Sequence, residues 1–303
     1  EMKSLMAGAP VAKLLDTDAA HEVAVFSAVW VNAPTQLYVD AMNDVENFER
    51  GGGFRTTKRV SDPPRLEDFD QLTLPDEDIR DLRTCRVGDC QIKMSQAALE
   101  QLRAGVDWSK PTARADTQAI VRRLAYDLVT GYLEGGDDRL SVYRDSGRPT
   151  FVAAEFRSMV EHLPELSDYL PNLRRYLLEY PNTGASDAKS FLYWQETEFG
   201  LKRTIRINHV AIETTPDGVA IATKMLYATH YFWTALDLRV LVPDPSRGPG
   251  FWLVSVGRSR SDGLTGFVGR LIGNKVRREA RDGAIGALTA TKTELEKRVR
   301  ALQ

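Results

Sequence analysis

The segment EVAVFSAVWV, Glu22 to Val31, carries apolar residues on both sides of a two-residue period. Val23, Val25, Val29 and Val31 alternate with Ala24, Phe26, Ala28 and Trp30, which predicts a strand covered on both faces. Pro34 then opens a run in which Leu37, Tyr38, Ala41, Met42, Val45 and Phe48 recur at helical spacing, and three glycines at 51–53 stop it. A second strand is expected from Phe54 to Val60, followed by a proline- and acid-rich stretch that reads as solvated surface. From Ser95 to about Tyr180 the period changes to that of helices. Ile120, Val121, Leu124, Leu128 and Tyr132 form one stripe, and Phe151, Phe156, Met159, Val160 and Leu163 another.

After this block the period returns to two. SFLYWQETEF, KRTIRINHVAIETT, a turn at Pro216–Gly218, the long stretch VAIATKMLYATHYFWTALDLRVLV (219–242) and FWLVSVGRSR predict an antiparallel meander. In the long stretch Met225, Tyr227, Thr229, Tyr231 and Trp233 share one side, and Lys224, Leu226, Ala228, His230 and Phe232 the other. Neither side reads as solvated, and a strand of this length needs a bend or bulge, expected near Trp233 to Ala235. The last forty residues place Leu264, Phe267, Val268, Leu271, Ile272, Val276, Ala280, Ile285, Leu288, Leu295 and Val299 at helical spacing, with Gly266, Gly269, Gly273, Gly283 and Gly286 among them. A long terminal helix is predicted, its glycines either leaving volume beside the sheet or permitting close packing.

A strand near the N-terminus, a helical pair, consecutive antiparallel strands and one long final helix resemble the START-like superfamily, the helix-grip fold of lipid-transfer domains and polyketide cyclases. The segments YWQETEFG, LYATHYF, GRSRSDGL and CRVGDC are similar to a bacterial subgroup of that fold, a likeness that brings no activity with it. The resemblance implies an α+β architecture in which a curved antiparallel sheet wraps a long C-terminal helix around a cavity. It covers residues 21–60 and 190–303 as the core of a single domain spanning 1–303. About 61–189 form a mostly helical insertion.

Of the 303 residues 43% are apolar and 27% charged, with a net charge of -2, so collagen-like, disordered and disulfide-scaffold classes are excluded. No global field attracts nucleic acid, and no nucleic-acid partner is expected. Gly218 to Leu236 is long enough to span a bilayer, but a central lysine costs about 2.5–3.5 kcal/mol there and the aromatic and β-branched content favours strands. A soluble chain without a transmembrane segment is expected. Cys85 and Cys90 are the only cysteines, and Gly88 and Asp89 between them suit a turn that brings the sulfurs together. A disulfide would imply a periplasmic or secreted location; free thiols would leave the protein cytoplasmic. No metal site is expected, because nothing completes a ligand set around the pair.

His230, between aromatics, is a candidate ligand contact and a weak candidate acid or base. His209 shares a face with Ile205 and Ile207. Arg258 and Arg260 share a face with Trp252, Val254 and Val256, where each guanidinium anchors an anionic headgroup or pairs with Asp262, Glu196 or Glu198. Tyr193, Tyr227 and Tyr231 offer hydroxyls, and Met225 and Trp233 apolar surface; with His209, His230 and Arg258 they make the expected ligand-binding set. The basic run Arg258, Arg260, Arg270, Lys275, Arg277, Arg278 and Arg281 suits either a wet helix face or transient contact with a membrane surface. Nucleotide-loop, zinc-protease and serine-hydrolase motifs are absent, and no cofactor is expected. The function expected is binding or transport of a hydrophobic small molecule, a lipid, sterol or polycyclic compound. The alternatives are a cyclase, dehydratase or hydrolase using His230 with Tyr231, and a non-catalytic interaction module.

Overall fold

The computed structural model describes residues 2–17, 19–49, 53–184, 188–200, 202–264 and 266–302, with only the backbone of Phe199, 266–271 and Leu302. In chain order the first elements are α1 (Met2–Met6), β1 (Val11–Leu15), β2 (Glu22–Val31), α2 (Thr35–Asn43), α3 (Val45–Phe48) and β3 (Phe54–Arg59). Next come α4 (Asp76–Leu82), α5 (Gln96–Gly105), α6 (Ala113–Gly135), a two-residue pair β4 (Val142–Tyr143) and β5 (Thr150–Phe151), α7 (Val152–Glu161), α8 (Pro164–Tyr169) and α9 (Pro171–Glu179). The chain closes with β6 (Lys189–Phe199), β7 (Lys202–Thr215), β8 (Gly218–Ala228), β9 (Phe232–Pro243), β10 (Phe251–Ser261) and α10 (Gly266–Leu302).

Eight strands form one antiparallel sheet in the order β1-β2-β10-β9-β8-β7-β6-β3. The early strands β2 and β3 flank the later meander, and α2, α3 and α10 cover one face. The architecture is α+β: an antiparallel sheet with a long C-terminal helix, and helices inserted between β3 and β6. The inserted helices pack on the other face. Leu192, Trp194, Ile205, Ile207 and Leu226 meet α4–α6, while Ala211, Ala220, Ala222, Leu236 and Leu238 meet α7–α9. Small alanines in the middle of that face let the bulky Phe156, Met159, Leu173 and Leu177 approach the backbone closely.

The long apolar stretch is a hairpin rather than one strand. β8 ends at Ala228, Thr229–Tyr231 turn, and β9 begins at Phe232. Two irregularities break the simple alternation. In β8 the pairing jumps from Tyr227↔Ile207 to Met225↔Asn208, so Leu226 is a bulge and both it and Tyr227 face the insertion. In β9 a second shift leaves Trp233 without a register partner on β10, at the place where a bulge is predicted from the sequence.

The terminal helix does not lie over the middle of the sheet. It packs chiefly on β2 and β1. Lys292 donates to the Trp30 carbonyl at 2.7 Å, the Asn32 N–H donates to Glu296 at 3.0 Å, and Val276, Ala280 and Ala284 rest on Val23 and Val25. Leu288, Leu295 and Val299 join Val29, Val31, Ile221, Leu241, Leu253 and the α2 residues Tyr38, Ala41 and Met42 in a packed plug at one end. The side chains of Phe267, Val268, Arg270 and Leu271, read as part of the helical stripe and basic run, lie outside the described residues. Ile272 is exposed, and Gly283 and Gly286 sit at exposed positions with open space where a Cβ would go. Close packing therefore does not account for those two glycines.

Candidate functional site

Because α10 rests on the sheet edge, the helix-facing sides of β8, β9 and β10 are left open in the middle. Thr223, Asp237, Arg239, Ser255 and Gly257 lie there side by side and stay partly exposed, although they sit mid-strand in the centre of an eight-stranded sheet. Gly257 is paired to Asp237 on β9 and Val25 on β2, and a Cβ built on it would meet no atom within 4 Å. The result is a groove: β8–β10 for its floor, α2 and α3 at the plugged end, α10 along one side.

The floor is polar. Arg239 pairs with Asp237 two residues earlier on the same strand, and Ser255 donates to Asp237 at 3.1 Å. Their side chains are 22% and 34% exposed. Arg239 also reaches the Met42 sulfur at 3.5 Å and hydrogen-bonds Tyr38. Burial alone would lower the Arg239 pKa, but Asp237, Tyr38 and Glu49 more than offset it and hold the guanidinium charged. Beside them Glu49 meets Tyr193, with Gln195 oriented so that its amide donates to Glu49 at 2.6 Å and its oxygen accepts from the Arg206 Nε at 3.2 Å. Burial raises the Glu49 carboxyl above its usual range in spite of Arg239 and Arg206, and raises the Tyr38 and Tyr193 hydroxyls as well. Asn208, next on the same face, is buried and its Nδ2 has no hydrogen-bond partner among the described residues. A buried amide donor left open is costly and marks a place where an acceptor belongs.

Of the eight residues expected to contact ligand, Tyr193 and Met225 face the groove side. The others do not come together there. His209 lies on the insertion face, accepting or donating at 3.0 Å with Tyr132 among Tyr176 and Tyr180, and burial followed by the nearby Lys224 lowers its pKa to about 3. Lys224 is 0% exposed; it binds Asp137 and donates to the Leu177 carbonyl at 3.1 Å, and burial, opposed by Asp137, lowers its pKa to about 8. Tyr227 donates to the Lys93 carbonyl at 2.9 Å.

His230 and Tyr231 occupy the hairpin turn. Both His230 nitrogens are engaged, Nδ1 with the Gln91 carbonyl at 3.0 Å and Nε2 with the buried Asp78 carboxylate at 3.0 Å, so neither is presented to a substrate. Tyr231 has φ 61°, the left-handed region that a bulky residue rarely adopts. Its hydroxyl accepts from the Lys202 N–H at 2.9 Å and its carbonyl from the Asp262 N–H at 2.9 Å, while Thr229 bonds the backbone of Lys93 and Ile205. These bonds hold a turn that has neither glycine nor proline. Trp233, beyond it, packs at a tilt against His21 with ring centres 4.6 Å apart and donates to Asp262.

Arg258 and Arg260 lie on the insertion face beneath α7. Glu22 receives both, at 2.6 Å from the Arg258 Nε and 2.9 Å from the Arg260 Nε, and Glu155 takes Arg260 at 2.8 Å. The acids that pair them are Glu22 and Glu155, not the Asp262, Glu196 or Glu198 expected from the strand ends. An adjoining cleft of about 310 Å³ is lined by these four charges with His21 and His162, so its fixed charges balance. Cys85 and Cys90 are joined in a disulfide, which is compatible with an oxidising compartment. No described helix is long and apolar enough to cross a membrane, and among the described residues no three His, Cys, Asp or Glu side chains converge as metal ligands.

The floor residues were legible in part. In TALDLRVLV, Asp237 and Arg239 alternate with Leu236 and Leu238, a charged face opposite an apolar one within a run of which neither side reads as solvated.

No family model and no curated protein matches the sequence. Among solved structures, the chain is similar to the STAR-related lipid transfer protein (fragment 25–204) from Xanthomonas axonopodis, at 8% identity and a TM-score of 0.45, over 95% of this chain and 93% of that one.

Proposed function

We infer that the protein binds a hydrophobic small molecule, a lipid, sterol or polycyclic compound, in the groove between the sheet and α10, with the polar end of that molecule on the floor. The observation that carries this reading is the open centre of the sheet: among the described residues no atom lies within 4 Å of a Cβ built on Gly257, and the neighbouring Asp237 and Arg239 keep contact with solvent. A buried strand face normally closes against apolar neighbours; this one closes at the plugged end, along β2 and around Met225 and Phe232, and its partly exposed residues lie between. Apolar ligand surface would contribute about 25 cal/mol per Å² buried, while Arg239 and Asn208 would select for an acceptor such as a carbonyl or hydroxyl. Tyr193 and Met225 are the ligand contacts we carry forward from the sequence. A transient membrane contact for loading fits the exposed Lys275, Arg278 and Arg281 of α10.

Native mass spectrometry and solvent extraction of the purified protein test this. Wild type is expected to retain an apolar molecule bearing an oxygen function, and Gly257→Phe, which fills the open space, to lose it while remaining folded. Cargo held equally by both proteins, or by neither after incubation with a lipid and sterol panel, would contradict the reading. The acid–base alternative through His230 gains no support, because both ring nitrogens are occupied.

A further inference from the structure

On the far side of the molecule from the groove, a cleft of about 200 Å³ opens where the end of α4 and the disulfide loop meet α5. Its lining includes the buried Leu82, Leu99 and Leu102 from the core of the insertion and the half-buried Trp108. Its rim carries three arginines, Arg83, Arg86 and Arg103, and no acidic side chain lines it.

The acids nearby face elsewhere. Asp81 holds Lys202 at 2.6 Å, and Asp107 accepts from Ser109 at 2.7 and 3.1 Å and pairs with Lys110. Asp89 meets only the Arg86 Nε, at 3.3 Å, with both side chains more than two-thirds exposed, a pair of little strength. Arg103 spends one N–H on the Cys85 carbonyl at 3.2 Å. Arg83 has no side-chain hydrogen bond or ion pair among the described residues. Three guanidiniums thus line the cleft beside Trp108 with most of their donors unspent among the described residues. A cleft walled in one sign of charge concentrates counter-ions, and guanidinium forks match the two oxygens of a carboxylate or the three of a sulfonate. The volume is below that of drug-sized sites, which limits the occupant to about one small ring system.

We propose that this cleft is a second binding site, for a small aromatic carboxylate or sulfonate whose ring lies on Trp108 and the leucines and whose anionic group meets Arg83 and Arg103. It shares no residue with the groove, and neither site requires the other.

The test follows the indole N–H of Trp108 by NMR, assigned with Trp108→Phe, during titration with naphthalene-2-sulfonate, with its neutral hydroxymethyl counterpart and with inorganic sulfate. The sulfonate is expected to shift the Trp108 signal saturably. The neutral compound, sulfate alone, and the sulfonate on the exposed double variant Arg83→Gln/Arg103→Gln should each bind at least tenfold more weakly, while Arg114→Gln leaves the affinity unchanged. An unmoved Trp108 signal, equal affinity of the double variant, or equal binding of the neutral compound would overturn the proposal. Equal binding of sulfate would overturn the aromatic class.

Discussion

The two faces of the same sheet solve opposite problems. Toward the insertion, the buried charges described above are matched, Lys224 by Asp137 and Arg258 and Arg260 by Glu22 and Glu155, and His230 is hydrogen-bonded to Asp78. Toward α10, charges of both signs lie in the middle of the strands and remain wetted. A polar residue mid-strand therefore means different things on the two faces. On the sealed face it fastens the insertion; on the open face it is available to a ligand.

The sharpest way to break the sealed face is at Lys224. Lys224→Met leaves Asp137 buried without its cation and is expected to lower stability by about 3–5 kcal/mol in urea unfolding, with Asp137→Leu added in the same chain recovering most of the loss. If the single change is neutral, the pair is not closed off from water as described. The disulfide is a smaller fastener. Closing a loop of only a few residues contributes about 2 kcal/mol through the unfolded chain, so Cys85→Ser/Cys90→Ser should lower the unfolding free energy by that amount without changing the groove's ligand occupancy.

Acid should weaken the sealed face through His209. Its folded pKa, about 3, lies below the unfolded value near 6.5, so the unfolded chain binds the extra proton first and stability falls as pH drops below about 6.5. Between pH 7 and 5 this one group is expected to cost about 2 kcal/mol, and His209→Gln should flatten that limb of the stability profile. Gly257→Phe on the open face should change stability by less than about 1 kcal/mol, since its side chain enters empty space rather than a packed core.

Much of the scaffold was legible in the sequence because it rests on period. The two-sided apolar strand at 22–31, the helical block, the meander and the terminal helix each carry their own repeat. What escaped was local and depended on contacts made elsewhere. The hairpin turn at Thr229–Tyr231 has no glycine or proline because Lys202, Asp262, Lys93 and Ile205 hold it from outside. The bulge at Leu226 reverses which face Tyr227 takes, so a strict two-residue alternation assigned it to the same side as Met225. His209 and Arg258 fall on the sealed face through the registers of β7 and β10, and Asp237 and Arg239, in a run of which neither side reads as solvated, form the groove floor.

The most direct measurement uses two adjacent residues of one strand. Thr223→Cys and Ala222→Cys, prepared separately with the native disulfide intact, place a thiol on the open and the sealed face of β8. A small maleimide is expected to label the first rapidly and the second only on unfolding, and bound cargo should protect the first. Equal labelling of both, or protection of both in cargo-free protein, would contradict a sheet that is open on one side.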